Sequence, residues 1–302
     1  MIPTFPDFKS LELADFKEVS EKTKKYPPYS DFNFVSLWSW NTHNKISLSS
    51  LNGNLVICFT DYITGEPFLS FLGHRKVGDT VKKLLQYSEN RGIKGGLKLV
   101  PGHAIKKVSL KKYNILEDID HNDYIIASKT FSNYDTKKTR TKKNSVNQFL
   151  KKFSPTVSEL NIQNEKTKKE LFTLFKKWSK KKDLMDIQNE MVALKRCVNE
   201  IHENKLLLLG LYVKKKLVGF TITELQDKGY ACIHFCKADT TVSQGVYAYL
   251  LMENAIYLQA KGKKLINIEQ DLGIGTLRQW KSSHDVHSFL KKYKITYNIP
   301  VK

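Results

Sequence analysis

The sequence predicts an α/β protein with mixed sheets, built as two successive α+β halves. Three observations carry this. Residues 156–270 alternate helix-period and strand-period segments in one clear order. Asn52-Gly53 separates two apolar runs in the manner of a type I′ hairpin, so the first half also contains sheet. The chain has 302 residues, 41% hydrophobic and 11% aromatic, which is enough apolar material for two cores and too much for a disordered protein.

Residues 8–25 read as a helix, with Leu11, Leu13 and Phe16 apolar and Asp15, Lys17 and Glu18 polar. The aromatic-dense stretch YPPYSDFNFVSLWSW (26–40) opens on a Pro-Pro break. Ile46–Leu51 and Leu55–Tyr62 flank the Asn-Gly turn as strands. Phe68–Leu72 and Leu97–Val100 read as further strands around a helix over 79–90. A weaker helix-then-strand pattern ends in DYIIAS (123–128). Residues 136–152 carry Lys137, Lys138, Arg140, Lys142, Lys143, Lys151 and Lys152 with no acid, and read as a basic linker with a solvated face.

The second half starts again with a strand over Thr156–Leu160. Two helices follow, one with Leu171, Phe172, Leu174, Phe175 and Trp178 apolar, the other with Ile187, Met191, Leu194, Val198 and Ile201 at helical spacing. Strands at 206–213, 216–225 and 229–238 are joined by short Lys-rich and Asp-Lys-Gly turns. A helix at 246–260 is apolar nearly all round and should be buried. A strand at 264–270 and a last strand near 293–299 complete the set. The expected division is a first domain at 1–135, the linker at 136–152, and a second domain at 153–302 that carries the site.

The formal charge of +20 implies an anionic partner: nucleic acid, an anionic membrane surface or a phosphorylated substrate. A lysine-rich genome composition would give the same excess. The longest apolar run, Leu206–Val213, is far short of the ~20 residues of a spanning helix. The first ten residues lack the pattern of a secretory signal, and four cysteines do not make a disulfide scaffold. A cytoplasmic protein with no transmembrane segment is expected.

Chemistry concentrates in residues 264–293, KLINIEQDLGIGTLRQWKSSHDVHSFLKKY. With period two over the strand 265–271, Asn267, Glu269 and Asp271 share one face, and Ile266 and Ile268 the other. Carboxylates at a covered strand end must be paired or perturbed, which marks them as candidate catalytic groups. The turn through Gly273 and Gly275 can turn backbone N–H groups toward a ligand. Arg278 and Lys281, three apart on a helix, supply a fork and a point cation suited to phosphate or carboxylate. Gln244 and Gly245 precede the apolar helix, where a phosphate or an ordinary cap would sit.

Cys232, His234 and Cys236 alternate on one strand face. Residues four apart on a strand lie ~13 Å apart at Cα, too far for both sulfurs to bind one zinc at ~2.3 Å. No metal is expected, the cysteines read as core, and His234 reads as a core or cleft histidine. His284, Asp285 and His287 read as loop caps.

Four segments, PPYSDFNFVSLWSW (27–40), NDYIIAS (122–128), NIEQDLGIGTLRQWKSS (267–283) and FLKKYKI (289–295), resemble the C-terminal domain of the phosphatidylglycerol lysyltransferase family. The resemblance implies two tandem GNAT-like domains with the active site mainly in the second. It implies transfer of an aminoacyl group from an aminoacyl-tRNA. Glu269 or Asp271 would hold a donor amine or act as base, and Arg278 and Lys281 would hold a phosphate or a tetrahedral oxyanion.

The long membrane region of the family's lipid-modifying members is absent from this sequence, so the acceptor reads as an amine or hydroxyl of another kind. The usual coenzyme A loop has Arg or Gln three residues before its first glycine, where this chain has Val242 before Gly245. Aminoacyl-tRNA is therefore the expected donor, and no other cofactor is assigned. Two alternatives stay open: an acetyl- or acyl-CoA-dependent N-acyltransferase, and a non-catalytic protein binding RNA or an anionic surface.

Overall fold

A computed structural model describes residues 1–61, 64–180, 187–201 and 206–298. Tyr62 and residue 299, expected at strand ends, lie outside the described residues.

The strands in chain order are β1 (Lys9–Ser10), β2 (Ser47–Leu51), β3 (Asn54–Thr60), β4 (Pro67–Leu72), β5 (Leu97–Pro101), β6 (Tyr113–Glu117), β7 (Asp123–Ala127), β8 (Thr156–Glu159), β9 (Leu206–Val213), β10 (Lys216–Leu225), β11 (Tyr230–Ala238), β12 (Leu265–Asn267), β13 (Val286–Leu290) and β14 (Lys292–Tyr297). The helices are α1 (Phe16–Thr23), α2 (Phe34–Ser39), α3 (Val77–Asn90), α4 (Gly102–Ile105), α5 (Ser128–Asn133), α6 (Arg140–Lys152), α7 (Glu165–Ser179), α8 (Ile187–Glu200), α9 (Val246–Ala260) and α10 (Gly275–Ser282). The chain divides into two compact units, Met1–Asp123 with Leu290–Lys302, and Tyr124–Phe289.

The first unit is built on a seven-stranded mixed sheet ordered β1-β2-β3-β4-β5-β14-β6. Asn52 and Gly53 both have positive φ, 55° and 77°, so the Asn-Gly turn matches the right-handed twist of β2 and β3 as a type I′ hairpin requires. α3 lays Val77, Val81, Leu84 and Leu85 against the β3–β5 face, where Val56, Leu69, Phe71 and Leu97 meet them. The aromatic stretch packs into a separate cluster of Tyr29, Phe32, Phe34 and Leu37 with Leu48, Ile57 and Phe59. Residues 8–25 form a single helix only from Phe16. Lys9–Ser10 pairs with β2, and Asp15 accepts from the Glu12 N–H at 2.9 Å to start the helix.

The second unit carries the sheet β13-β7-β12-β11-β10-β9-β8. β11 and β12 run parallel, in the register Tyr230–Leu265, Ala231–Ile266 and Cys232–Asn267. α9 packs on β10 and β11 and is capped on its other side by α5 and α6, burying Val246, Leu250, Leu251, Ala255 and Leu258. α7 lies on β10 and β11 as well and buries Leu171, Leu174 and Phe175.

The units do not divide the chain as expected at 135 and 153. Residues 124–127 belong to the second sheet, because Leu265, Ile266 and Asn267 pair with Ala127, Ile126 and Ile125. The last strand belongs to the first unit, where β14 lies between β5 and β6. Residues 140–152 are no linker either: α6 buries Val146 and Phe149 in the core of the second unit. Apart from Lys142, which donates to Ser283, its charge run covers the solvent face, and a charge count does not register two buried apolar residues on the opposite face.

Candidate functional site

β11 and β12 part after Cys232 and Asn267. β11 runs on to Ala238, while the other chain leaves the sheet. Just before the fork's far strand, β11 has a bulge against β10: Thr223 faces Ile233 and Ile222 faces Phe235, so His234 is the extra residue. The bulge reverses the alternation that the sequence predicts. Cys236 packs with Ala231 and Ile233 toward α9, on the opposite face from Cys232, so Cys232, His234 and Cys236 do not share one face.

His234 is held at both nitrogens. Its Nε2 lies 3.2 Å from Glu224 Oε2 and its Nδ1 lies 3.2 Å from Glu269 Oε1, with only 1% of the side chain exposed. Burial works against charge on the ring, but the hydrogen bonds to Cys232, Glu224 and Glu269 outweigh it and hold the His234 pKa well above its ordinary value. Burial pushes the Cys232 thiol up to about 12, so it is neutral at physiological pH. The His234 ring thus lies between two carboxylate side chains. Glu269, with 20% of its side chain exposed, is the most accessible member of the group.

The sequence gives little warning of Glu224. It is a lone carboxylate near the end of an apolar strand, and only the register, which sets it opposite Cys232, brings it to His234.

Glu269 reaches this position through unusual backbone. β12 ends at Asn267, and Glu269 has φ 60°, so Asn267, Glu269 and Asp271 are not successive members of one strand face. A left-handed conformation costs a non-glycine residue about 1–2 kcal/mol and persists where its neighbours fix it. Here the Glu269 N–H donates to Asn267 Oδ1 at 2.7 Å, and its carbonyl accepts from the Tyr124 N–H at 3.2 Å. Lys281 Nζ donates to the flanking carbonyls of Ile268 at 2.5 Å and Gln270 at 2.6 Å. The side chain expected to meet an oxyanion is thus buried against the loop that presents Glu269.

Asp271 is also turned inward. Arg278 Nε and Nη2 donate to its two oxygens at 2.9 and 2.7 Å, the Tyr124 hydroxyl donates at 2.6 Å, and the Gly273 N–H donates at 2.9 Å. Burial alone would raise its pKa; Arg278, Tyr124 and Gly273 outweigh burial and hold it below the usual carboxylate range. So the Gly273 N–H and the Arg278 fork, expected to meet a phosphate, meet Asp271 instead. Gly275 opens α10 with free space around its Cα.

Gln244 and Gly245 lie elsewhere. A Cβ at Gly245 would fall 2.1 Å from the Ser145 carbonyl oxygen, so α6 lies directly over the start of α9. Beside that contact is a cleft of about 250 Å³ lined by Lys142, Gln244, Tyr247, Leu251, Trp280 and His284. It shares no residue with the His234 group. His284 is buried edge-on between Phe131 and Trp280, and among the described residues neither of its ring nitrogens has a hydrogen-bond partner. Burial and then nearby Lys142 lower its pKa from 6.5 to about 3.

The unfolded imidazole takes up a proton near pH 6.5 and the folded one does not until about pH 3. His284 therefore withdraws stability progressively as pH falls through that window, on the order of 4 kcal/mol by its lower end. His284→Phe should lower the midpoint of acid unfolding followed by circular dichroism. An unchanged midpoint would mean that the ring finds a partner in solution.

The family model described as "Phosphatidylglycerol lysyltransferase, C-terminal" matches residues 23–296. No curated protein matches the chain. Among solved structures, a conserved protein of unknown function from Bacteroides thetaiotaomicron VPI-5482 is similar at TM-score 0.81 and 22% identity, over 99% of this chain and 100% of that one. The L-PGS of Bacillus licheniformis is similar at TM-score 0.64 and 15% identity, over 97% and 94%. The C-terminal domain of a putative lysylphosphatidylglycerol synthetase from Agrobacterium fabrum is similar at 0.64 and 11%, over 94% and 91%. The mixed α/β architecture with two mixed sheets is similar to that of FemX, at TM-score 0.55 and 8% identity, over 95% of this chain and 97% of that one. Among the described residues no helix is long and apolar enough to cross a membrane. With nine-tenths of its length matched and the expected fold in place, this chain belongs to the phosphatidylglycerol lysyltransferase C-terminal family.

Proposed function

We propose that this GNAT-like acyltransferase moves an aminoacyl group from an aminoacyl-tRNA to an amine or hydroxyl acceptor, with Glu269 holding the donor's α-ammonium. The observation that carries this reading is the His234 group: two glutamates around one imidazole, with Glu269 partly exposed at the end of a forked pair of strands. An aminoacyl ester differs from other acyl donors in its free ammonium, and a partly exposed carboxylate is the partner such a group requires. The acceptor oxygen or nitrogen attacks the ester carbonyl, the bond to the terminal ribose oxygen breaks, and the acceptor's proton ends on that oxygen. Lys281 and Asn267 fix the loop from which Glu269 reaches the donor, and Glu224 fixes the His234 ring.

An acyl-CoA donor finds less support. The start of α9, where a pyrophosphate would seek backbone N–H groups, is covered by the Ser145 carbonyl. The charge of the chain favours the larger anion, and Arg140, Lys143, Lys151 and Lys152 of α6 are exposed. If tRNA lies along this helix, Lys143→Glu, Lys151→Glu and Lys152→Glu should each weaken tRNA binding and flatten the log Kd against log salt plot by about one unit. Binding with the wild-type salt slope in the triple variant would remove α6 from the tRNA path.

A further inference from the structure

The sequence spacing excludes a zinc site made of Cys232 and Cys236, but the fold brings in a third ligand type from the loop that follows the neighbouring strand. Cys232 Sγ, His234 Nδ1 and Glu269 Oε1 all lie within 4.8 Å of one another. The separations are 3.9 Å from sulfur to nitrogen, 3.9 Å from sulfur to Glu269 Oε1, and 3.2 Å from nitrogen to oxygen.

Tetrahedral zinc with Zn–S ~2.3 Å, Zn–N ~2.0 Å and Zn–O ~2.1 Å requires edges of about 3.5, 3.6 and 3.3 Å respectively. The three atoms therefore need to move by only about 0.4 Å to share one ion. The outer partner is in place too. Glu224 takes the other ring nitrogen, Nε2, so that loss of the Nδ1 proton leaves the tautomer in which Nδ1 ligates, as carboxylates behind metal-bound histidines do.

We propose that Cys232, His234 and Glu269 form a zinc site with an open fourth position, backed by Glu224. One thiolate, one imidazole and one carboxylate are a donor set that suits zinc over calcium or magnesium, which take oxygen ligands. Zinc bonds form to Sγ, Nδ1 and Oε1; the thiol proton and the Nδ1 proton leave to solvent. Three protein ligands match open, exchangeable zinc sites and not closed structural ones. This inference goes beyond the acyl-transfer reading and does not use it, since metal binding is measured without any acyl donor.

The test is titration of chelator-stripped, full-length protein with cobalt(II) as a spectroscopic probe, followed by competition with zinc. One equivalent of cobalt should give a near-ultraviolet thiolate-to-cobalt band that zinc abolishes. Cys232→Ala should lose the band, while Cys236→Ala should keep it. Glu224→Gln should keep the band and weaken zinc binding about ten- to a hundredfold. Glu269→Gln, which alters a partly exposed side chain and leaves the thiol in place, should also weaken zinc at least tenfold if Cys232→Ala fails to fold. A wild-type protein without the band, or zinc affinity unchanged in Glu269→Gln, would overturn the proposal.

Discussion

Glu269→Gln should lower kcat/KM for transfer from a charged tRNA by about ten- to a hundredfold, the loss expected when a charge-assisted contact of about 1.5–3 kcal/mol is removed. Gln keeps the size of the side chain and can still meet the His234 ring, so the folded state should remain intact. The decisive comparison uses a donor whose α-amine is acetylated. If Glu269 holds the ammonium, acetylation should depress the wild-type rate to a similar degree and add little to the loss in Glu269→Gln. Losses that multiply would show that Glu269 acts on some other part of the reaction. A variant with the wild-type rate would remove Glu269 from the site.

The second large effect should be on stability, at Lys292 in the first unit. Lys292 is completely buried and donates to Asp123 Oδ1 at 2.8 Å, with Asp31 as its other ionic partner. Ser30 donates its N–H and hydroxyl to the same Asp123 carboxylate, at 2.8 and 2.6 Å. Burial opposes the lysine charge, but the two aspartates hold its pKa above the ordinary value. Lys292→Ala would leave two buried carboxylates without a cation, at a cost of about 3–5 kcal/mol. Urea unfolding followed by fluorescence should show a correspondingly lower midpoint. Adding Asp123→Asn should recover part of the loss, because it removes one of the stranded charges. A midpoint shift worth less than about 1 kcal/mol would mean that water reaches the triad.

These side chains show how the segments that carry the family resemblance relate to the structure. Ser30 and Asp31 come from PPYSDFNFVSLWSW, Asp123 from NDYIIAS and Lys292 from FLKKYKI, and they converge on one buried triad. The fourth segment supplies Glu269, Asp271, Arg278 and Lys281.

Local signals were legible in the sequence. Asn52-Gly53 marked its hairpin, the apolar runs between short polar turns marked β9, β10 and β11, and the apolar stretch marked α9. What could not be read was geometry set by tertiary contact. The left-handed Glu269 depends on Asn267, Tyr124 and Lys281, and the bulge at His234 depends on the register with β10. Both overturn a face assignment made by counting in twos, since one extra or twisted residue moves every later side chain to the other side. Arg278 and Lys281 do face inward from α10 as their spacing implies, but a sequence does not reveal that Asp271 and the 268–270 carbonyls wait for them. Pairing of β14 with β5 and β6 joins residues almost two hundred positions apart, beyond any local pattern.

That return of β14 sets an order of events during synthesis. Residues 124–289 are contiguous and contain nearly all of their sheet, so they can fold as soon as they leave the ribosome. The first 123 residues emerge earlier yet lack an interior strand, and Asp31 and Asp123 lack their lysine, until the final residues appear. The part made first is therefore the part finished last. During that interval the facing edges of β5 and β6 are open to other strands, which makes the nascent first unit the aggregation-prone stage in the life of this protein.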